Sequence, residues 1–275
     1  MVVSLSSVIV PLFVPGNRPE RFEKAAISGA DAIIIDLEDA VPAPSKTEAR
    51  TALRIAFTSL PVLVRVNGEN TPWYGEDIAA VARLRPAAVI FPKAELGGRL
   101  GEFAATSALP VLPLLETARG LSEARQIAAL PGVARLVFGS IDYCADLGCS
   151  DSREALLGAR SELVLASRLA GLASPVDGVT MSIDDGEQIA ADARYAGELG
   201  FGAKLVIHPR QIKAIKAGFR PQQFEIEWAN KVLASGDGAT AVNGAMVDEP
   251  VRTRARSIIA RASLKTALKA DETES

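Results

Sequence analysis

A chain of 275 residues with 48% hydrophobic and 23% charged residues is long enough to bury a sizeable core and has a globular composition. Its 30 basic and 33 acidic residues give a formal net charge of −3 without any Lys/Arg-dominated run, so neither a nucleic acid nor a membrane surface is expected as a partner. The absence of an 18-residue apolar run and of a basic leader, together with two cysteines (Cys144, Cys149) outside CxxC spacing, predicts a cytoplasmic protein, and a single histidine (His208) argues against a zinc site or a Ser-His-Asp triad.

Residues 8–14 (VIVPLFV) read as a buried strand, followed by a Pro15-Gly16 turn, with Asn17 as N-cap and Pro19 in the first turn of a helix reaching Gly29. Residues 32–36 (AIIID) are the second strand, ending in Leu37, Glu38 and Asp39 before a helix over 45–56. Residues 62–66 (VLVRV) are the third, with Arg65 near the exit, Asn67-Gly68 behind it and a helix over 76–84. Residues 88–92 (AVIFP) deliver Lys93 and Glu95 ahead of a helix over 97–106. The fifth strand, 111–115, opens the stretch VLPLLETAR and runs straight into Glu116, with a helix over 120–130. The sixth, 135–139 (RLVFG), runs into Ser140 and Asp142. A long helix over 153–170, a weak seventh strand at 175–179, a helix over 184–199 and an eighth strand at 204–207, ending in His208-Pro209, complete the series.

Eight strand and helix pairs, recurring roughly every 25–30 residues, predict an α/β fold, a (β/α)8 TIM barrel over residues 1–220. A doubly wound open sheet has the same local pattern and differs only in closure; the strand count favours the barrel. In a barrel the strand exits form one mouth, which would gather Glu38, Arg65, Lys93, Glu116, Asp142 and His208. Residues 221–275 read as a C-terminal helical arm: a helix over 222–234, a Gly-rich hinge at 235–244 (SGDGATAVNG), then Asp248 in a short loop before an amphipathic helix over 251–268.

Carboxylates at the exits of two consecutive strands suggest a hard ion, Mg²⁺ with Mn²⁺ or Ca²⁺ as alternatives, held by Glu116 and Asp142. The plain alternative is that both acids only stabilise helix N-termini. A 2-oxo acid could chelate the ion while Arg65 takes its carboxylate as a bidentate pair; Arg65 could equally be paired with Glu38 or Asp39. Lys93 could form a Schiff base, a use that leaves the two acids without work. Residues 17–21 (NRPER) open a helix and read either as a phosphate site or as an N-cap with solvated arginines. His208 is read as a strand cap, and Asp248, on spacing alone, as a helix N-cap.

The blocks LFVPGNRPERFEKA, DLEDAVPAPSKTEAR, VRVNG, FPKAE, LLETARG, VFGSIDYCADLG, KLVIHPRQI and GAMVDEPV together resemble the citrate lyase β-subunit-like family within the HpcH/HpaI aldolases. The resemblance covers nearly the whole chain. It implies a Mg²⁺-dependent carbon–carbon lyase, assembled as a homotrimer or hexamer, that reversibly cleaves a 3-hydroxyacyl-CoA of citryl or malyl type into acetyl-CoA and oxaloacetate or glyoxylate. It places Glu116 and Asp142 as metal ligands, Arg65, Asp248 and Glu38 as catalytic groups, and Arg65, Gly139, Ser140 and Lys93 around the substrate. Asp248 would come from a neighbouring subunit's arm, and Arg18, Arg21 and Lys24 would face the coenzyme A phosphates. Family members of citrate lyase act on a carrier-bound citryl group, so an acyl-carrier protein is an alternative partner to free coenzyme A. The same metal site would also serve an acyl-CoA thioesterase or malate-type synthase. A CoA-independent 2-oxo acid aldolase is disfavoured because the loop PGNRPER lacks the His base of those enzymes. A non-catalytic CoA-binding subunit is disfavoured by the intact acids.

Overall fold

The second strand, AIIID, is buried at every position, as expected for a strand of a parallel sheet covered on both faces. The computed structural model, which describes residues 4–236, 240–242 and 245–263, repeats that pattern around a ring. The strands are β1 (Pro11–Pro15), β2 (Ala32–Asp36), β3 (Val62–Arg65), β4 (Ala88–Phe91), β5 (Val111–Leu115), β6 (Val137–Phe138), β7 (Val176–Asp177) and β8 (Ala203–Lys204). They are all parallel and hydrogen-bonded in chain order. Closure comes from the segment beside β8: Phe13 N–H donates to Val206 O at 2.8 Å and Val206 N–H to Pro11 O at 3.0 Å. The (β/α)8 TIM barrel expected from the strand count is therefore the observed fold, and the open-sheet alternative falls.

Alternate residues of each strand face opposite sides. Ile34, Leu63, Ile90, Leu112, Val137 and Leu205 fill the barrel interior. Their neighbours, such as Ile33, Ile35, Val64, Val89 and Leu115, meet the surrounding helices. Near the strand starts, buried Arg135 donates to the carbonyls of Leu5, Val8 and Ser174, at 3.0, 2.8 and 2.6 Å. Burial pulls its pKa down to about 10.

The helices are α1 (Phe22–Ala26), α2 (Lys46–Thr51), α3 (Tyr74–Leu84), α4 (Leu100–Thr106), α5 (Ala118–Ser122), α6 (Ala124–Ala128), α7 (Ser140–Leu147), α8 (Arg153–Leu169), α9 (Gly186–Leu199) and α10 (Gln211–Gly218). Several are shorter than expected. The single helix over 120–130 is two short ones broken at Glu123, whose carboxylate instead accepts Leu96 N–H at 2.7 Å. Asn17 is not an N-cap: Arg18 holds that place before a 3-10 turn, without a side-chain cap, and Asn17 Oδ1 is buried without a hydrogen-bond partner.

The first compact unit ends at Phe219 and a second begins at Arg220. The second contains α11 (Gln223–Ala234), β9 (Thr240–Val242), β10 (Ala245–Val247) and α12 (Glu249–Ser263). Its own core is built on Ala229, Val232, Val247, Ala255 and Ile258. The Gly-rich stretch expected as a hinge supplies one strand of an antiparallel pair, β9, whose Val242 lies opposite Ala245 and Thr240 opposite Val247 of β10. Residues 237–239 and 243–244 of that stretch, and residues 264–268 of the expected last helix, lie outside the described residues. Among the described residues no helix is long and apolar enough to cross a membrane.

Candidate active site

Register brings the first pair together. Asp36, the last residue of β2, lies opposite Arg65, the last of β3. The guanidinium grips both carboxylate oxygens, Nε to Oδ1 and Nη2 to Oδ2, each at 2.7 Å. Its Nη1 donates to Asp39 Oδ2 at 3.2 Å and lies 3.1 Å from Glu38 Oε2, while the Phe13 ring sits 4.9 Å from the guanidinium carbon. Although burial works against its charge, Asp36, Glu38 and Asp39 together raise the Arg65 pKa. Three of its five N–H groups are hydrogen-bonded, and Nη1 is also paired with Glu38.

The β2 exit is shaped from both sides. Asp36 accepts the N–H groups of Glu38 and Ala40, at 2.9 and 3.0 Å. Buried Lys46, at the start of α2, donates to Leu37 O and Glu38 O, each at 2.7 Å, and to Asn67 Oδ1 at 2.5 Å. Burial lowers the Lys46 pKa. Asn67 is held in turn by Asp77 Oδ2, which accepts both its backbone N–H and its side-chain amide.

The β4 and β5 exits carry the second group. Lys93 adopts a left-handed φ of 48°, uncommon for a residue with a side chain, and that twist points its N–H at Glu116 Oε1, 2.8 Å away. The Lys93 ammonium is 3.1 Å from Glu38 Oε1 and 3.7 Å from Glu116 Oε1. Burial raises the Glu38 pKa, with Arg65 and Lys93 pulling it back and Asp39 adding to it. Glu116 is 2% exposed, and burial, reinforced by the charges of Glu38 and Asp142, pushes its pKa up to about 8. At the β6 exit Gly139 leaves room for that carboxylate, since a Cβ there would lie 2.5 Å from Glu116 Cβ and Oε2. Ser140, buried with its hydroxyl lacking a hydrogen-bond partner, and half-buried Asp142 follow in the first turn of α7.

Two chambers open at this mouth. One, of about 420 Å³, is lined by Asp36, Arg65, Glu116, Gly139, Ser140 and Asp142 on its polar side. The other, of about 490 Å³, is lined by Glu38, Lys46, Asn67, Trp73 and Lys93, and Asp39 borders both. The expected site residues divide accordingly: Arg65, Glu116, Gly139, Ser140 and Asp142 share the first chamber, while Glu38 and Lys93 line the second. Arg18, Arg21 and Lys24 line neither; all three are exposed, and Arg18 Nε is 2.6 Å from Glu20 Oε1. His208 makes a local cap, its Nδ1 accepting Arg210 N–H at 3.2 Å. Asp248 belongs to the second unit, where its Oδ1 accepts Val251 N–H at 3.2 Å at the start of α12.

The donor set fits a hard divalent cation. Among the described residues no group of three His, Cys, Asp or Glu side chains could hold a metal, so Glu116 and Asp142 would bind it as a pair and leave its other positions to water and ligand. Burial first, and the charges of Glu38 and Asp142 after it, raise the Glu116 pKa, and a cation bound beside the carboxylate would favour its charged form. The sequence reading missed Asp36, Lys46 and the Asn67–Asp77 pair. Asp36 carried a signal, as an acid closing an otherwise apolar strand; Lys46 carried none, because a lysine opening a helix reads as solvated.

Known proteins bear on this arrangement. A citrate lyase subunit β-like protein from Mycobacterium tuberculosis is 38% identical over 266 residues, covering 93% of this chain and 96% of that protein. A (3S)-malyl-CoA thioesterase from Cereibacter sphaeroides is 34% identical over 274 residues, 94% of this chain and 96% of that protein. The crystal structure of CitE from M. tuberculosis in complex with magnesium, acetoacetate and coenzyme A superimposes with a TM-score of 0.85 at 36% identity, covering 94% of this chain and 99% of that one. The sequence model of one family matches residues 10–209, the span that holds every strand of the barrel, and the chain belongs to that family, HpcH/HpaI aldolase/citrate lyase.

Proposed function

We propose that this protein is a carbon–carbon lyase that reversibly cleaves a 3-hydroxyacyl-CoA into acetyl-CoA and a 2-oxo acid of the oxaloacetate or glyoxylate type. The observation that carries the reading is the meeting of Glu116, Asp142 and Arg65 in one chamber at the strand exits. When bound there, Mg²⁺ or Mn²⁺ supplies a Lewis acid for the oxo acid's oxygens. Arg65 turns the guanidinium edge not taken by Asp36, Glu38 and Asp39 to the carboxylate or to the developing enolate, and Asp36 holds its plane fixed. Glu38, whose pKa burial raises and which is bridged to Lys93, is assigned the 3-hydroxyl proton. As the C2–C3 bond breaks, its electron pair passes to the thioester enolate, whose carbon takes a proton from Asp248 of another copy. The backbone at Gly139 and Ser140 orients the oxo acid, and Arg18, Arg21 and Lys24 meet the phosphates of coenzyme A.

The 34% identity to a (3S)-malyl-CoA thioesterase favours one second reading, hydrolysis of the same thioester at the same site. Incubating malyl-CoA and citryl-CoA with the enzyme and Mg²⁺ and resolving the products separates the two. Acetyl-CoA plus an oxo acid supports the lyase; free coenzyme A plus the hydroxy acid supports the thioesterase. A citryl-loaded acyl-carrier protein as a third substrate tests the carrier, and the assembly expected in solution is a homotrimer or hexamer.

A further inference from the structure

The chain has two cysteines, both free thiols, and the end of α7 brings them together. Gly148 takes a left-handed φ of 72° there, and the N–H groups of Gly148 and Cys149 both donate to Cys144 O, at 2.9 and 3.1 Å. At a helix end closed in this way, the side chain just past the glycine packs on that of the residue whose carbonyl is claimed, here Cys149 on Cys144. A disulfide needs Cα atoms about 4.4–6.8 Å apart, and a direct backbone hydrogen bond between the two cysteines holds them within that reach. Cys144 is buried in the core between barrel and helices, against which half-buried Cys149 packs. Cys144 is the inert partner, because burial, with Cys149 beside it, pushes its thiol up to about 11. Cys149, the more open of the two, meets an oxidant first.

The same helix carries part of the first chamber. Ser140 and Asp142 stand in its first turn, and Asp146, in its last, accepts the N–H of Ala118 at 2.7 Å, two residues beyond Glu116. α7 is therefore tied to both acids proposed to hold the metal. We propose that Cys144 and Cys149 are a reversible disulfide site, whose closure on oxidation weakens the divalent-cation site through α7. The Cys149 thiolate attacks one sulfur of a small disulfide such as oxidised glutathione, releasing one glutathione thiolate and leaving a mixed disulfide. Cys144, giving its proton to solvent, then attacks Cys149 Sγ and displaces the second glutathione thiolate. Two protein thiols are oxidised, and one small disulfide is reduced to two thiols. The new bond joins core-packed Cys144 to the loop beyond Gly148 and re-seats the last turn of α7, moving Asp146 and Asp142 with it. The coupling rests on the assignment of Glu116 and Asp142 as the metal pair; the disulfide does not.

The test incubates the reduced full chain with oxidised glutathione, follows it by intact mass and non-reducing gel, and titrates it calorimetrically with Mg²⁺ beside the reduced protein. The expected product is a chain two hydrogens lighter, without a covalent partner, whose Mg²⁺ affinity is lower by about fivefold or more and is restored by a dithiol reductant. Cys144→Ala should stop at the glutathione adduct of Cys149, and Cys149→Ala should stay unmodified and keep its Mg²⁺ affinity. A native chain that stops at the adduct, or forms only cross-linked dimers, overturns the disulfide. A disulfide that leaves Mg²⁺ affinity unchanged overturns the coupling. If the reduced chain binds no Mg²⁺, the metal assignment and the coupling fall together, while the mass still decides the disulfide.

Discussion

Glu116 is the residue whose chemistry is most distorted by its place in the fold, and the sign of its pH effect follows from that. In the unfolded chain it ionises near 4.5, and in the metal-free folded protein near 8, so between those values the folded state holds the extra proton. The contribution favouring the folded state is fully present below about pH 4.5 and is lost as pH rises to about 8, with a slope approaching about 1.4 kcal/mol per pH unit. Thermal unfolding of chelator-treated protein between pH 5 and 8 should show this decline, and Glu116→Gln should remove it. Mg²⁺ affinity should rise with pH over the same range and level off above pH 8, because the cation displaces that proton; an affinity that is flat from pH 6 to 8 would refute the coupling. Arg65→Lys tests the neighbouring fork: a lysine cannot hold both oxygens of Asp36 and still turn donors to a ligand. Its kcat/KM should fall about 10²- to 10³-fold. Glu116, Asp142 and Arg65 stood out in the sequence because charge at the end of an apolar run is conspicuous. Two partners of Arg65, Glu38 and Asp39, were legible as well; the third, Asp36, was not, because only the β2–β3 register places it opposite Arg65.

At the scale of elements, the junction of β6 and α7 couples packing to chemistry. Gly139→Ala would drive a Cβ to 2.5 Å from Glu116 Cβ and Oε2, so either the strand exit or the carboxylate must shift. We expect a stability loss of about 1–3 kcal/mol accompanied by loss of most Mg²⁺ affinity. The control is Gly148→Ala at the end of the same helix, where φ is 72° and no atom lies within 4 Å of the added Cβ. That change strains the backbone and costs about 1 kcal/mol, yet should leave Mg²⁺ binding intact. Equal losses of affinity in the two variants would show that helix stability, not the approach to Glu116, governs the site. The strands themselves were readable because parallel strands with both faces covered are continuous apolar runs. The helix ends were less so: Glu123 reads as one more residue of a helix until Leu96 N–H is found to claim its carboxylate. Within the Gly-rich stretch the strand at 240–242 was not legible, since strand pairing, unlike an amphipathic pattern, leaves little trace in three residues.

At the scale of the molecule, the division at Phe219 matters because the proposed metal ligands and the proposed acid, Asp248, fall in different units. If each site takes Asp248 from another copy, two inactive variants must complement. Glu116→Gln loses the metal site but keeps its own Asp248; Asp248→Asn keeps the metal site but has no acid to give. Neither homogeneous protein should turn over, whereas the Asp248→Asn protein should still bind Mg²⁺ and an oxo acid. Co-expressed with separate tags and purified through both, the mixed assemblies should recover activity, up to about one site in three for a trimeric ring, because every mixed trimer has a single junction of the productive order. An acid acting within its own chain predicts the opposite, because every chain in the mixture carries one lesion and no site is complete. The same mixture reports on assembly without a separate assumption: failure to recover doubly tagged particles means the chains do not associate, and recovery of doubly tagged particles without activity refutes delivery from a neighbour. A chain ending at Phe219, which retains all eight strands and the pair Glu116 and Asp142, should then bind Mg²⁺ with unchanged affinity and show no turnover.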